Sequence, residues 1–147
     1  AVCGSWWRAD INVDGTPRGY GVYEVDGNQV KWLYKSAGYP KEHQLHVYQA
    51  GSSDEYPSDI IANVWNWDEQ WKVEWYEKRM GEMQRYKGYD PAAKAICSDK
   101  EKVKYEWISP VLTEHLFHAT PRNKNAKIEV KVTDRFGNVY TEAVENK

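Results

Sequence analysis

Apolar and polar residues alternate along most of this chain with the two-residue period of half-buried β-strands. Residues 18–34, RGYGVYEVDGNQVKWLY, form two such runs broken by turn residues, and two registers compete. A four-residue loop from Asp26 to Gln29 sets Val25 opposite Val30, Glu24 opposite Lys31 and Tyr23 opposite Trp32; a two-residue Asp26-Gly27 turn sets Glu24 opposite Gln29. Matched charges and rings favour the first. HQLHVYQA (43–50) and DIIANVWNW (59–67) read as further strands, separated by the breaker-rich GSSDEYPS. WKVEWYE and MGEMQRY predict a hairpin around Lys78 and Arg79, and KIEVKVTDRFGNVYTEAV predicts another around Asp134 to Asn138. The single helical stretch is DPAAKAICSDKEKV, residues 90–103, where Pro91 follows Asp90 at a position suited to a first helical turn.

The pattern predicts an all-β fold, an antiparallel β-sandwich of immunoglobulin-like or jelly-roll-like type, with at most one short helix near residues 90–103. No repeat, linker or break in composition divides residues 1–147, so one sandwich domain is the expectation. If Asp68 to Gln70 form a hairpin loop, Trp67 faces Trp71, Trp65 faces Val73 and Asn63 faces Trp75, which gathers an aromatic stripe on one side. Buried, each ring contributes about 150 to 250 Å² to a core; exposed, the stripe could stack on sugars. The charges on the opposite side favour the core. Trp6 and Trp7 are adjacent, so on a strand they point to opposite faces and cannot share one core.

Composition sharpens the picture in one respect. The chain has eight Trp and eleven Tyr against two Phe, so nearly every large ring carries a polar handle suited to interfaces and half-wet cores. A length of 147 residues is enough to bury roughly two-thirds of the unfolded surface without metal or disulfide. The net charge of −2, from 20 basic and 22 acidic residues spread along the chain, gives no field for nucleic acid and no basic run for a membrane surface. No apolar run approaches a membrane span, and the opening AVCGSWW has no signal-like character. Cys3 and Cys97 could pair in an oxidising compartment, but two cysteines without metal spacing leave the question open.

Asp10, Asn12, Asp14 and Gly15 stand in the D-x-N-x-D-G order that opens a calcium loop. Such a loop needs an oxygen ligand at position 9 and a bidentate Glu at position 12, where this chain has Arg18 and Gly21, and its flanks read as strands rather than helices. A turn whose side chains bond their own backbone is the better reading. His43 with His46 and His115 with His118 are H-x-x-H pairs, yet in strands residues three apart face opposite sides. No metal site follows from them. Nucleophile elbows, phosphate loops, dinucleotide fingerprints and H-E-x-x-H are all missing.

Several long blocks carry an identification. VCGSWWRADINVDGTPRGYGVYEVDGN, DIIANVWNWDEQWKVEWYE with MGEMQRYKGYDPAAKA, and HLFHATP with IEVKVTDRFGNVYTE together resemble the C-terminal domain of bacterial calcineurin-like phosphoesterases. The resemblance covers nearly the whole chain, with one departure: the turn at Glu77 to Arg79 is shorter than relatives tend to have. It implies a β-sandwich appendage to a metallophosphoesterase catalytic domain, in a protein commonly exported to the periplasm or cell surface.

The metal-caging motifs of that chemistry, D-x-H, G-D-x-x-D, G-N-H-[DE] and G-H-x-H, do not occur in residues 1–147. The resemblance therefore implies a non-catalytic accessory domain without catalytic, cofactor or metal residues of its own, while the parent enzyme carries a dinuclear metal centre. Its partner would be the catalytic domain in cis, with Trp6, Trp7, Arg8 and Trp32 as the interdomain or ligand surface. A carbohydrate-binding module using exposed Trp and Tyr is the alternative. Neither nucleic acid nor membrane insertion is expected.

Overall fold

The alternating runs become strands. The computed structural model describes residues 9–103, 105–123 and 125–146, with β1 (Gly19–Asp26), β2 (Gln29–Ser36), β3 (His46–Tyr48), β4 (Ile60–Asn63), β5 (Lys72–Tyr76), β6 (Met80–Glu82), β7 (Gln84–Gly88), α1 (Pro91–Ser98), β8 (Thr113–Ala119), β9 (Lys127–Thr133) and β10 (Val139–Glu145). The chain is all-β apart from α1, as the pattern predicts. Its strands form a β1-β2 sheet and two four-stranded sheets in the orders β10-β9-β5-β6 and β3-β4-β8-β7. Residues sort into two units, one of residues 1–44 with 88–113 and one of residues 45–87 with 114–147.

In the first unit β1 and β2 take the register that matched charges and rings favour, with Tyr23 opposite Trp32, Glu24 opposite Lys31 and Val25 opposite Val30. Asp26 pairs with Gln29 as well, which tightens the turn onto Gly27 and Asn28. At the base of this ribbon the buried Tyr34 hydroxyl donates to the Pro17 carbonyl at 2.6 Å, and Gln44 Nε2 donates to the Lys41 carbonyl at 2.7 Å. Helix α1 starts as read: Asp90 accepts from the Ala93 N–H at 2.9 Å and Pro91 fills the first helical position, which needs no donor. A small core of Ala9, Ala93 and Ile108, flanked by Ile11, Val13, Ile96, Cys97 and Val103, holds this unit. Burial among these side chains pushes the Cys97 thiol up from its ordinary pKa; its pairing with Cys3 lies outside the described residues.

The second unit is a sandwich of the two four-stranded sheets. Every other residue of β9 turns inward, so Ile128, Val130 and Val132 join Val73 of β5 and Tyr140 of β10 against Val47, Ile60, Ala62, Phe117 and Ala119 of the opposing sheet. The C-terminal hairpin forms as predicted, with Thr133 opposite Val139. Lys72–Tyr76 pairs with Met80–Glu82 across a three-residue loop, Glu77 to Arg79.

One expectation is corrected here. DIIANVWNW and WKVEWYE do not form a hairpin: β4 lies in one sheet and β5 in the other. The reason is local. Val64 still donates to the His115 carbonyl at 3.0 Å, but Asn66 then takes a left-handed φ of 68° and Asp68 accepts from the Gln70 N–H at 2.8 Å, bending the chain out of its sheet. Trp65 and Trp71 reach the interior from this arch at 1% and 8% exposure, while Trp67 and Trp75 pack on the core from its margin. Core rings they are, though not as one stripe.

Because both rings are enclosed, Trp65→Ala and Trp71→Ala should each cost about 3 to 5 kcal/mol, whereas Trp107→Ala at an exposed position should stay within about 0.5 kcal/mol. Urea denaturation of the three variants checks the contrast.

Candidate functional site

Residues 10–18 form a closed turn. The Asn12 N–H and side-chain amide both donate to the Thr16 carbonyl, at 2.8 and 2.9 Å, and Asp14 accepts from the Thr16 N–H at 2.9 Å. Gly15 supplies the φ of 82° that a side chain would resist. Asp10 receives the Arg18 guanidinium at 2.8 Å. The Asp14 and Asp10 carboxylates that a calcium loop would aim at an ion thus serve the turn and a neighbouring cation. Among the described residues no three His, Cys, Asp or Glu side chains group to hold a metal.

Trp6, Trp7 and Arg8 of the expected surface lie outside the described residues. Trp32 is half-buried on β2 opposite Tyr23, and the same face runs outward to the exposed Val25 and Val30. The other face carries Glu24 and Lys31. The sequence reading passed over a further apolar surface of the first unit. Ile108 is seated in the small core and donates to the Tyr105 carbonyl, and this hold on its neighbours leaves Trp107 68% exposed. Tyr105 stacks on Trp107 with centroids 5.7 Å apart, and Val111 and Leu112 are exposed beyond it. Neither period-2 alternation nor a motif marks residues 105–112, so only the isolated Trp among breakers could have drawn notice.

In the second unit the histidines separate. His115 Nδ1 meets Asn63 Oδ1 at 2.7 Å, whereas His118 Nδ1 meets the nearly buried Asp59 carboxylate at 2.6 Å. Tyr56 stacks on the His118 ring at 3.8 Å and Tyr86 meets it edge-on at 5.5 Å. Through Asp59 and Tyr56 this imidazole fastens the segment before β4 onto β8. His46 pairs with Glu142 at 2.9 Å, and His43 stacks on Tyr39. A shallow pocket of about 200 Å³ between Arg85, Tyr86, Lys87 and Glu114 holds one ion pair, Lys87 with Glu114 at 3.0 Å.

A larger groove of about 360 Å³ lies at the β5-β6 hairpin, lined by Trp75, Lys78, Arg79, Met80, Gly81 and Arg122 beside Glu77 and Asn123. Glu77 belongs to its wall. Its carboxylate accepts from the Asn123 N–H at 2.8 Å, the Asn123 amide at 2.9 Å and the Arg122 N–H at 3.2 Å. Desolvation pushes this carboxyl up, but those hydrogen bonds and the charge of Lys78 outweigh it, so its pKa ends below the ordinary Glu value. Trp75 stands opposite Gly81, where an added Cβ would fall 2.8 Å from the indole Nε1.

Two outcomes follow from these contacts. Asp59→Ala leaves the His118 ring without its carboxylate and should destabilise the chain by about 1 to 3 kcal/mol, with the double variant Asp59→Leu, His118→Phe recovering part of the loss in chemical denaturation. Because the folded-state pKa of Glu77 is depressed, its stabilising contribution is present above the ordinary carboxylate range and is lost as pH falls through the folded value. Thermal melts of wild type and Glu77→Gln should therefore differ at neutral pH and draw together as the pH falls below the ordinary carboxylate range.

Comparison with known proteins joins these surfaces to a lineage. Neither curated proteins nor solved structures give a match. A family model described as the C terminal of calcineurin-like phosphoesterase matches residues 1–140, which is nearly the whole chain and takes in both units. The sandwich, the aromatic arch and the exposed ribbon are therefore features of a member of that family: the chain belongs to the C-terminal domains of calcineurin-like phosphoesterases.

Proposed function

We propose that this chain is a non-catalytic accessory domain that packs on the catalytic domain of a calcineurin-like metallophosphoesterase in cis and shapes the approach of substrate to it. The observation that carries the reading is the exposed apolar surface of the first unit, Tyr105, Trp107, Val111 and Leu112. Large rings held open to water by a seated neighbour such as Ile108 mark a contact surface rather than a core. Trp107, at 68% exposure, is the type of residue that anchors interfaces. The ribbon face of Tyr23, Val25 and Trp32 extends the same chemistry within that unit.

Under this reading catalysis rests with the partner domain. A dinuclear site requires a cage of Asp, His and Asn, and in this chain Asp14 is engaged in a turn, Asp90 in a helix cap and Asp59 with His118 in a loop tie. The same proposal puts the metal centre in the catalytic domain and has the whole protein exported.

The test uses the protein that carries both domains. Trp107→Ser should leave the melting of the isolated 147-residue chain nearly unchanged while raising amide exchange in the catalytic domain of the two-domain protein. It should also alter kcat/KM for a bulky phosphodiester more than for p-nitrophenyl phosphate. Unchanged exchange and unchanged selectivity would remove this surface from the domain contact.

A further inference from the structure

We propose that the groove at the β5-β6 hairpin is a binding site for an anionic sugar, a saccharide ring carrying a phosphate or a carboxylate. It lies wholly within the second unit and does not depend on the docking surface of the first. Its chemistry is set by three cations, an aromatic wall and a lining carboxylate already engaged by hydrogen bonds.

Lys78 and Arg79 project from the three-residue hairpin loop and Arg122 from the loop after β8, so two separate segments bring positive charge to one volume of about 360 Å³. All three side chains are exposed, and neither Arg79 nor Arg122 has a carboxylate partner among the described residues. Nearby carboxylates often quench such a cluster. Here the lining carboxylate, Glu77, is spent on the Asn123 and Arg122 backbone N–H groups and the Asn123 amide. It fixes the distance between the two loops, and the groove retains an excess of positive charge. Guanidinium groups suit phosphate and carboxylate oxygens because they present paired donors.

The remaining wall is apolar. Trp75 is half-buried, with one side packed on the sandwich core and its indole Nε1 edge facing the position across the strand. That position is Gly81, and any Cβ there would fall 2.8 Å from Nε1. The missing side chain lets the indole lie close against this strand while Trp75 still lines the groove, and Met80, 51% exposed, borders the same space. A bare anion would need no such wall. An aromatic edge and a soft thioether beside a cationic rim suit a ring with apolar C–H faces, donor hydroxyls and one negative substituent.

The test titrates the 147-residue chain with glucose 6-phosphate, glucuronate, glucose and inorganic phosphate, followed by tryptophan fluorescence and calorimetry. Glucose 6-phosphate or glucuronate should bind saturably with a Kd of about 1 to 10 mM and at least about tenfold more tightly than glucose. The stronger of the two identifies the anion. Arg79→Ala with Arg122→Ala should weaken that binding about tenfold while leaving the melting temperature in place, since both side chains are exposed. Trp75→Phe should weaken the sugar ligand but not inorganic phosphate. The proposal is overturned if neither anionic sugar binds, if the double arginine variant binds as wild type does, or if inorganic phosphate alone binds as tightly as glucose 6-phosphate.

Discussion

Two sheets with one apolar face each must exclude water from both at once, and the second unit does this by laying those faces together. Everything else in that unit is a solution to closing the sides. On one side the Glu142 carboxylate joins β10 to β3: it accepts from the Val47 N–H at 3.1 Å and receives the His46 ring at 2.9 Å. On the other side the chain itself makes the seam. β6 ends one sheet, β7 ends the other, and the buried Met83 between them passes from sheet to sheet while its N–H still donates to the Val73 carbonyl at 3.0 Å. An unbranched, adaptable side chain suits a seam where the two pleats do not match. The arch from Val64 to Trp71 performs a similar crossing with rings: Trp71 stacks on Tyr140, and Trp67 meets Phe117 edge-on. Arg85 lies 4.6 Å over the outer face of Trp67.

Three buried carboxylates are each given polar partners. Asp134 accepts from the Phe136 and Asn138 N–H groups at 2.8 Å and from the Tyr140 hydroxyl at 3.2 Å, which closes the β9-β10 loop. Asp90 caps α1, and Asp59 faces His118. All three carboxylates are buried, and each organises a loop rather than a reaction. The surfaces with functional promise lie instead at the exposed ring pair of Tyr105 and Trp107 and at the groove of the β5-β6 hairpin, where Gly81 lets the Trp75 indole lie close.

Much of this was readable from the chain alone. The β1-β2 register followed from cross-strand charge and ring matching, the β9-β10 hairpin from clean alternation around a turn-rich loop, and α1 from Asp90 and Pro91. The failure at residues 59–77 has a physical cause. Period-2 alternation shows which residues share a face, but a strand entering the opposite sheet has the same alternation as one turning back beside its neighbour. Only the left-handed Asn66 separates the two, and Asn is merely permissive of that conformation. The Asp59-His118 pair was unreadable for a different reason: its partners are far apart in sequence and meet only through the β4-β8 register, Ile61 beside His118. Trp107 escaped because exposure is a property of packing, not of residue type. The long aromatic blocks carried the family, because they specify so many positions in order.

The two units are interleaved in sequence: the first is made of residues 1–44 and 88–113, the second of residues 45–87 and 114–147. Neither can emerge complete from a ribosome before the other has begun. β4 waits for β8, and β5 for β9, until the whole of α1 and the loop that presents Trp107 has been synthesised. Those pairings have high contact order and close long loops, which makes their formation slow relative to the local β1-β2 and β9-β10 hairpins. During that interval the inner face of β4 and the tryptophans of the arch are without their final cover. A chain so threaded completes its second unit only after the last strands are made, and until then its apolar faces stay open to water.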